Sequence, residues 1–295
     1  MQSADFLSAV FFYLKVGENL NQNWIVENLN NAFSTWNGKL GELWGLVTTG
    51  PQTFKGGAVW SVMQTLHNGM VGIGYALVVL FFAISLCKNT MNFHELKRPE
   101  ASIHYFLRFV AAKALVGYGM DIMLNVFSIC NGIVTDMADS MGGISEAMVS
   151  LPTEMQTAIE NVGFLASIPL WLVTILGSLF ITVLSFVMIL TVYGRFFRLY
   201  MYTALAPLPL AAFAGESTQS VGISFLKSYV GVCLEGAVIV LACVIYSAFV
   251  STPTVVSGEA TTIVWSYLAE TVFNMLVLVG LIKGSDRIIH EMMGL

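Results

Sequence analysis

Apolar residues run nearly unbroken through five segments of the chain: residues 66–86, 106–129, 164–193, 229–250 and 263–282. Crossing about 30 Å of hydrocarbon takes about 20 such residues. Each segment therefore predicts a membrane-spanning helix. The segment 164–193 is the clearest, with no charge over 30 positions. A sixth run, 196–214, is interrupted by Arg198, Pro207 and Pro209. Its first part reads as a continuation of the third helix. Pro207 ends that helix, because proline has no N–H to donate and its ring clashes with the preceding turn.

The first 65 residues follow another rhythm. Ile25, Leu29, Phe33, Trp36, Leu40, Leu43 and Val47 recur at steps of three and four, which is one face of a helix. Trp24, Trp36, Trp44 and Trp60 lie here, and tryptophan favours the membrane–water boundary. The expectation is an amphipathic helix on the outer leaflet, on a partner helix or on the chain's own bundle. Gly50-Pro51 and Gly56-Gly57 mark turns after it. The chain then divides into interfacial helices (1–65), two spans (66–129), an extracytoplasmic loop (130–163) and three further spans (164–295). The last part contains a cytoplasmic proline break at 206–216. The loop has a Gly142-Gly143 break, then a short helix with Met155, Ile159 and Val162 on one face. No internal repeat is evident.

Composition agrees with this pattern. Of the 295 residues, 56% are hydrophobic and only 11% charged, against about 25% charged in a soluble domain. Mean hydropathy is +0.76. A soluble globular protein and a disordered chain are both excluded. The fold class is an all-α polytopic membrane bundle with about five transmembrane helices. The segment from Phe6 to Val16 is too short to span, and no cleaved signal peptide is expected. Cys87, Cys130, Cys233 and Cys243 read as small buried hydrophobes, because no spacing suggests a metal site.

The basic residues set an orientation. The segments 87–105, 194–228 and 283–295 together hold Lys88, Lys97, Arg98, Arg195, Arg198, Lys227, Lys283 and Arg287. The segments 130–163 and 251–262 hold no Lys or Arg. The N-terminus is expected outside and the C-terminus in the cytoplasm. Lys113, Asp121, Glu235 and Glu270 fall inside spans, where a charge is costly. A Lys113–Glu235 pair is geometrically feasible. Asp121 and Glu270 are expected to face a subunit interface, a pore or another protein. Glycines at 69, 72, 74, 231, 236, 280 and 284 permit close helix approach.

No nucleotide loop, nucleophile–base pair or metal cluster is present, so no enzyme and no cofactor are expected. His67, His94, His104 and His290 are scattered at loops and span ends. Three functions compete: a structural channel subunit, a small-molecule or ion transporter using Asp121, Glu235 and Glu270, and a membrane anchor for a phage-like particle.

The stretch 193–246 carries the most distinctive pattern. It places an R-x-x-R (Arg195, Arg198) after a long span, then an A-P-x-P break (Ala206, Pro207, Pro209), then Gly215-Glu216. A helix follows with Ser-Phe-Leu-Lys (Ser224 to Lys227) and Leu-Glu-Gly (Leu234 to Gly236). This pattern resembles the TrbL-type polytopic subunit of conjugative type IV secretion systems, in the form found on Gram-positive conjugative elements. The resemblance implies a homo-oligomeric ring in the cell membrane. Such a ring forms the path or platform for export of single-stranded DNA with attached protein. Cytoplasmic ATPases would supply energy, and a bitopic membrane protein and surface components would be partners, with transient contact to the DNA. The family's large versions carry long soluble extensions, whereas only a short cytoplasmic tail is read here. Arg195, Arg198, Pro207, Pro209, Glu216 and Lys227 are the candidates for docking a partner or framing a pore mouth. Reversing the charges of Arg195 and Arg198 is expected to cut transfer and spare insertion.

Overall fold

A computed structural model describes residues 2–90, 99–140, 148–162, 164–250 and 260–295. The long helices are α1 (Gln2–Thr48), α2 (Ala58–Thr90), α3 (Pro99–Gly117), α4 (Gly119–Ser140), α6 (Phe164–Leu205), α8 (Gln219–Val250) and α9 (Ala260–Met293). Two short ones are α5 (Thr153–Glu160) and α7 (Pro207–Ala211). There are 3-10 turns at Phe54–Gly57 and Ala212–Ala214, and no strand among the described residues. The fold is an all-α polytopic bundle.

Four stretches are long and apolar enough to cross a membrane: Phe54–Lys88, Ser167–Leu205, Gln219–Val250 and Thr262–Met293. Their outward faces are greasy, as lipid contact requires; Leu176, Phe180, Val183 and Leu190 of α6 are all exposed. The second expected span, 106–129, is not one straight helix. It breaks at Tyr118, between Ile103–Gly117 and Gly119–Asp139, with a bend of 72°. Glycine is a recurrent cause of such kinks. Both glycines also lie at tight contacts: a Cβ on Gly117 would sit 2.8 Å from the Tyr75 hydroxyl, and one on Gly119 3.2 Å from Leu210 Cδ1.

The chain forms two compact units. One comprises Met1–Gly45, Met141–Thr191 and Leu241–Lys283. Here the apolar face of α1 is covered by the chain itself, with Ile25, Leu29, Trp36, Leu40 and Leu43 fully buried. Asn28 donates to Ser178 Oγ at 3.1 Å. Phe33 meets Tyr267 edge-on with ring centroids 6.5 Å apart. Of the settings expected for the amphipathic helix at 24–47, the part up to Gly45 thus has its apolar face packed within its own unit. Helix α5 forms with Met155 and Ile159 buried, and Val162 follows them into the core. The Gly142-Gly143 break lies outside the described residues, as do residues 91–98 and 251–259 of the charge-bearing and charge-free loops.

The other unit comprises Leu46–Ser140, Val192–Val240 and Gly284–Leu295. Its turn after α1 is held by left-handed backbone at Lys55 (φ 50°), Gly56 (φ 73°) and Gly57 (φ 78°). Only glycine fits at 57, where a Cβ would approach the Gln52 carbonyl oxygen to 2.9 Å. Phe54 stacks on Phe196 at 4.1 Å, and the Tyr200 hydroxyl donates to the Pro51 carbonyl at 2.8 Å. The turn is therefore fastened to the second half of α6. Gly74 of α2 lets α7 approach, since a Cβ there would lie 2.9 Å from the Pro207 carbonyl oxygen.

Candidate functional site

Helix α6 places Arg195 and Arg198 three residues apart, on one face. Arg195 is fully buried. Its Nε donates to the Val232 carbonyl at 3.3 Å and its Nη2 to the Cys233 carbonyl at 3.2 Å. Its Nη1 donates to the Val47 carbonyl, near the end of α1, at 3.4 Å. The guanidinium fork thus spans α8 and α1 at once, which a lysine could not do in three directions with a planar group. The space for it is made by Gly236: a Cβ there would lie 2.7 Å from Nη1.

Arg198 faces the carboxylates. Its Nη2 donates to both oxygens of Glu235 at 2.7 Å, and its Nη1 to Asp286 of α9. Glu235 is 1% exposed and also accepts from Ser285 Oγ at 3.2 Å. His290 Nε2 lies 3.6 Å from Asp286 Oδ1. Two guanidinium groups and two carboxylates meet here, so the centre is formally neutral. A buried charge is tolerated when its partners are complete: Arg195 is met by three carbonyl oxygens, and Arg198 by Glu235 and Asp286. The Leu-Glu-Gly motif of α8 is thereby explained by the R-x-x-R of α6: Glu235 receives Arg198, and Gly236 makes room for Arg195.

A second polar contact sits at the proline break. In a continuous helix the Thr203 carbonyl would accept from the amide of residue 207, but Pro207 has none. His67 of α2, 2% exposed, donates from Nδ1 to that carbonyl at 2.7 Å. An imidazole N–H replaces the amide that proline lacks. Pro207 is buried and Pro209 half-buried, and α6 ends before them at Leu205 as expected.

Several expectations change. Glu235 pairs with Arg198, not Lys113, which lies exposed on α3 with a stem long enough to reach the boundary. Asp121 is exposed in the first turn of α4, because the bend at Tyr118 starts a new helix there. The positive end of that helix favours a carboxylate. Arg195 and Pro207 are buried within the chain. Glu216 and Lys227 are exposed. Glu270 is half-buried in the other unit, on the wall of a cavity. Cys130, Cys233 and Cys243 are buried, but Cys87 is exposed. Sequence reasoning missed His67, Ser285 and Asp286. The one local signal was a lone histidine in an apolar helix, matched by a carbonyl four residues before a proline. Among the described residues, no three His, Cys, Asp or Glu side chains are grouped to hold a metal ion.

Fold and site define a polytopic helical membrane protein whose deepest polar groups are spent on joining its own helices. It belongs to the TrbL/VirB6 plasmid conjugal transfer-like family, whose sequence pattern matches residues 36–207, more than half of the chain. That membership places it among the membrane components of conjugal transfer systems. The matched stretch includes Arg195 and Arg198 and ends at Pro207, so Glu235 and Gly236 lie beyond it. No curated protein and no solved structure matches significantly.

Proposed function

We propose that this protein is a channel or platform subunit of a conjugative type IV secretion system in the cell membrane, supporting export of single-stranded DNA with attached protein. The family match over residues 36–207 carries the reading. The protein works as a homo-oligomeric ring beside other membrane components, with its N-terminus outside and its C-terminus in the cytoplasm. Cytoplasmic ATPases drive the process. The ion centre of Arg195, Arg198, Glu235 and Asp286 fastens α6, α8 and α9 of each subunit. Partner docking falls to the exposed charges beside the proline break, Glu216 and Lys227.

A mating assay tests this. Deletion of the gene is expected to abolish DNA transfer, and the wild-type gene in trans to restore it. Transfer at the wild-type level after deletion would refute the reading, and substrate flux through the purified protein alone would favour a transporter. Lys227→Glu is expected to lower transfer while the protein reaches the membrane in normal amount, measured by immunoblot of membrane fractions. Undiminished transfer would remove the docking role from Lys227.

A further inference from the structure

Within the unit built on Met1–Gly45, Met141–Thr191 and Leu241–Lys283, a cavity of about 530 Å³ opens between residues 148–158, the end of α8 and the first half of α9. That volume lies within the range of small-ligand sites. Its rim is ordered. Asn37 donates from Nδ2 to the Val149 carbonyl at 2.7 Å and accepts from the Val149 amide at 2.9 Å. The Tyr267 hydroxyl donates to the Ser150 carbonyl at 3.0 Å. The cavity is therefore preformed, not closed over an empty space by a loose loop.

The wall has a consistent chemistry. Glu154 and Glu270 bring two carboxylates, Asn274 a carboxamide, and Tyr246 and Tyr267 two aromatic rings. Met148, Met155, Val250 and Ile263 supply apolar surface. Among the described residues the lining holds no Lys or Arg, and the sequence has none in 130–163 and 251–262. Carboxylates and the faces of tyrosine rings both attract a cation. Tyr246 borders the cavity only through its ring. It is 1% exposed, and its hydroxyl has no hydrogen-bond partner among the described residues. That hydroxyl is sealed from the cavity and takes no part in the site. A metal ion is disfavoured, because no group of three His, Cys, Asp or Glu is found among the described residues.

We propose that this cavity binds an organic cation, an ammonium or guanidinium group carried on a short apolar stem. The charged end meets Glu270 and Glu154 between the two tyrosines, and the stem lies against Met148, Met155 and Ile263. The inference uses only the residues of this unit, so it stands or falls separately from the secretion reading.

The test uses the full-length protein in nanodiscs of phosphatidylcholine, whose headgroup offers no N–H donor. The probe is dansylcadaverine, a fluorescent primary amine, with neutral dansylamide as its control. Saturable binding of the amine, displaced by agmatine and not matched by dansylamide, is expected. Glu270→Gln should weaken it by about tenfold or more, as the loss of a charged hydrogen-bond partner does. Tyr246→Phe, which removes only a hydroxyl sealed from the cavity, should leave it unchanged. Glu154→Gln, on the exposed rim, serves as a second variant whose fold is not at risk, and it too should weaken the amine. Equal binding of dansylamide, or unchanged affinity in both carboxylate variants with an unchanged elution profile, would overturn the proposal and leave a neutral apolar cavity.

Discussion

Arg195→Glu is expected to remove folded protein from the membrane. The new carboxylate would face the carbonyl oxygens of Val47, Val232 and Cys233, where the guanidinium now donates three hydrogen bonds. It would also add a negative charge beside Glu235. Breaking a buried, satisfied charge costs about 3–5 kcal/mol, a large share of a typical stability of about 5–15 kcal/mol. The result is read by fluorescence-detected size-exclusion chromatography of a tagged protein, as loss of the monodisperse peak. Arg195→Lys should give an intermediate loss, since one ammonium cannot reproduce the fork. Arg198→Glu should be milder, because Arg198 is 28% exposed and water can relieve its former partners. A normal peak for Arg195→Glu would show that the guanidinium does not hold these helices. The outcome also alters a sequence-based expectation. Reversing both arginines cannot separate transfer from assembly, since one of them is an internal brace.

His67→Leu is expected to destabilise the protein, and Pro207→Ala to rescue it. Without His67 the Thr203 carbonyl loses the Nδ1–H donor that now lies 2.7 Å away. Leaving a buried acceptor unpaired costs about 1–3 kcal/mol. Alanine at 207 restores the amide that a helix would supply to that carbonyl. The double variant should therefore be more stable than the sum of the single losses, which a double-mutant cycle on apparent Tm measures. Simple additivity of the two losses would mean that His67 does not stand in for the missing amide.

Much of the fold was legible because helices in a membrane announce themselves locally. The apolar runs marked the spans, the steps of three and four marked the buried face of α1, and Pro207 marked the end of α6. The polar site was not legible for the same reason. Its partners lie 37, 88, 136 and 148 residues apart, and no local period encodes such pairings. Glu235 could be seen from the sequence as a charge in a span, but its partner Arg198 could not. Glycine shows the limit well. Gly69, Gly72, Gly280 and Gly284 have nothing near the place a Cβ would occupy, whereas Gly74, Gly231 and Gly236 meet neighbours within 3 Å. All seven look alike in the sequence. The bend at Tyr118 was hidden too, because the apolar run continues straight through it.

The wide separation of Arg198 from its carboxylates bears on how the chain is made. Glu235 emerges from the ribosome 37 residues after Arg198, and Asp286 only 88 residues after it. At a synthesis rate of about 5–20 residues per second, the arginine waits roughly 4–18 s for its last partner. During that interval its charge must remain hydrated or be held by the insertion machinery. The apolar first part of α6 can enter the bilayer at once, whereas the arginine-bearing turns settle only when the C-terminal helix arrives. A stalled or truncated nascent chain ending before Glu235 would accordingly expose an unsatisfied cation, a natural mark for quality-control proteolysis.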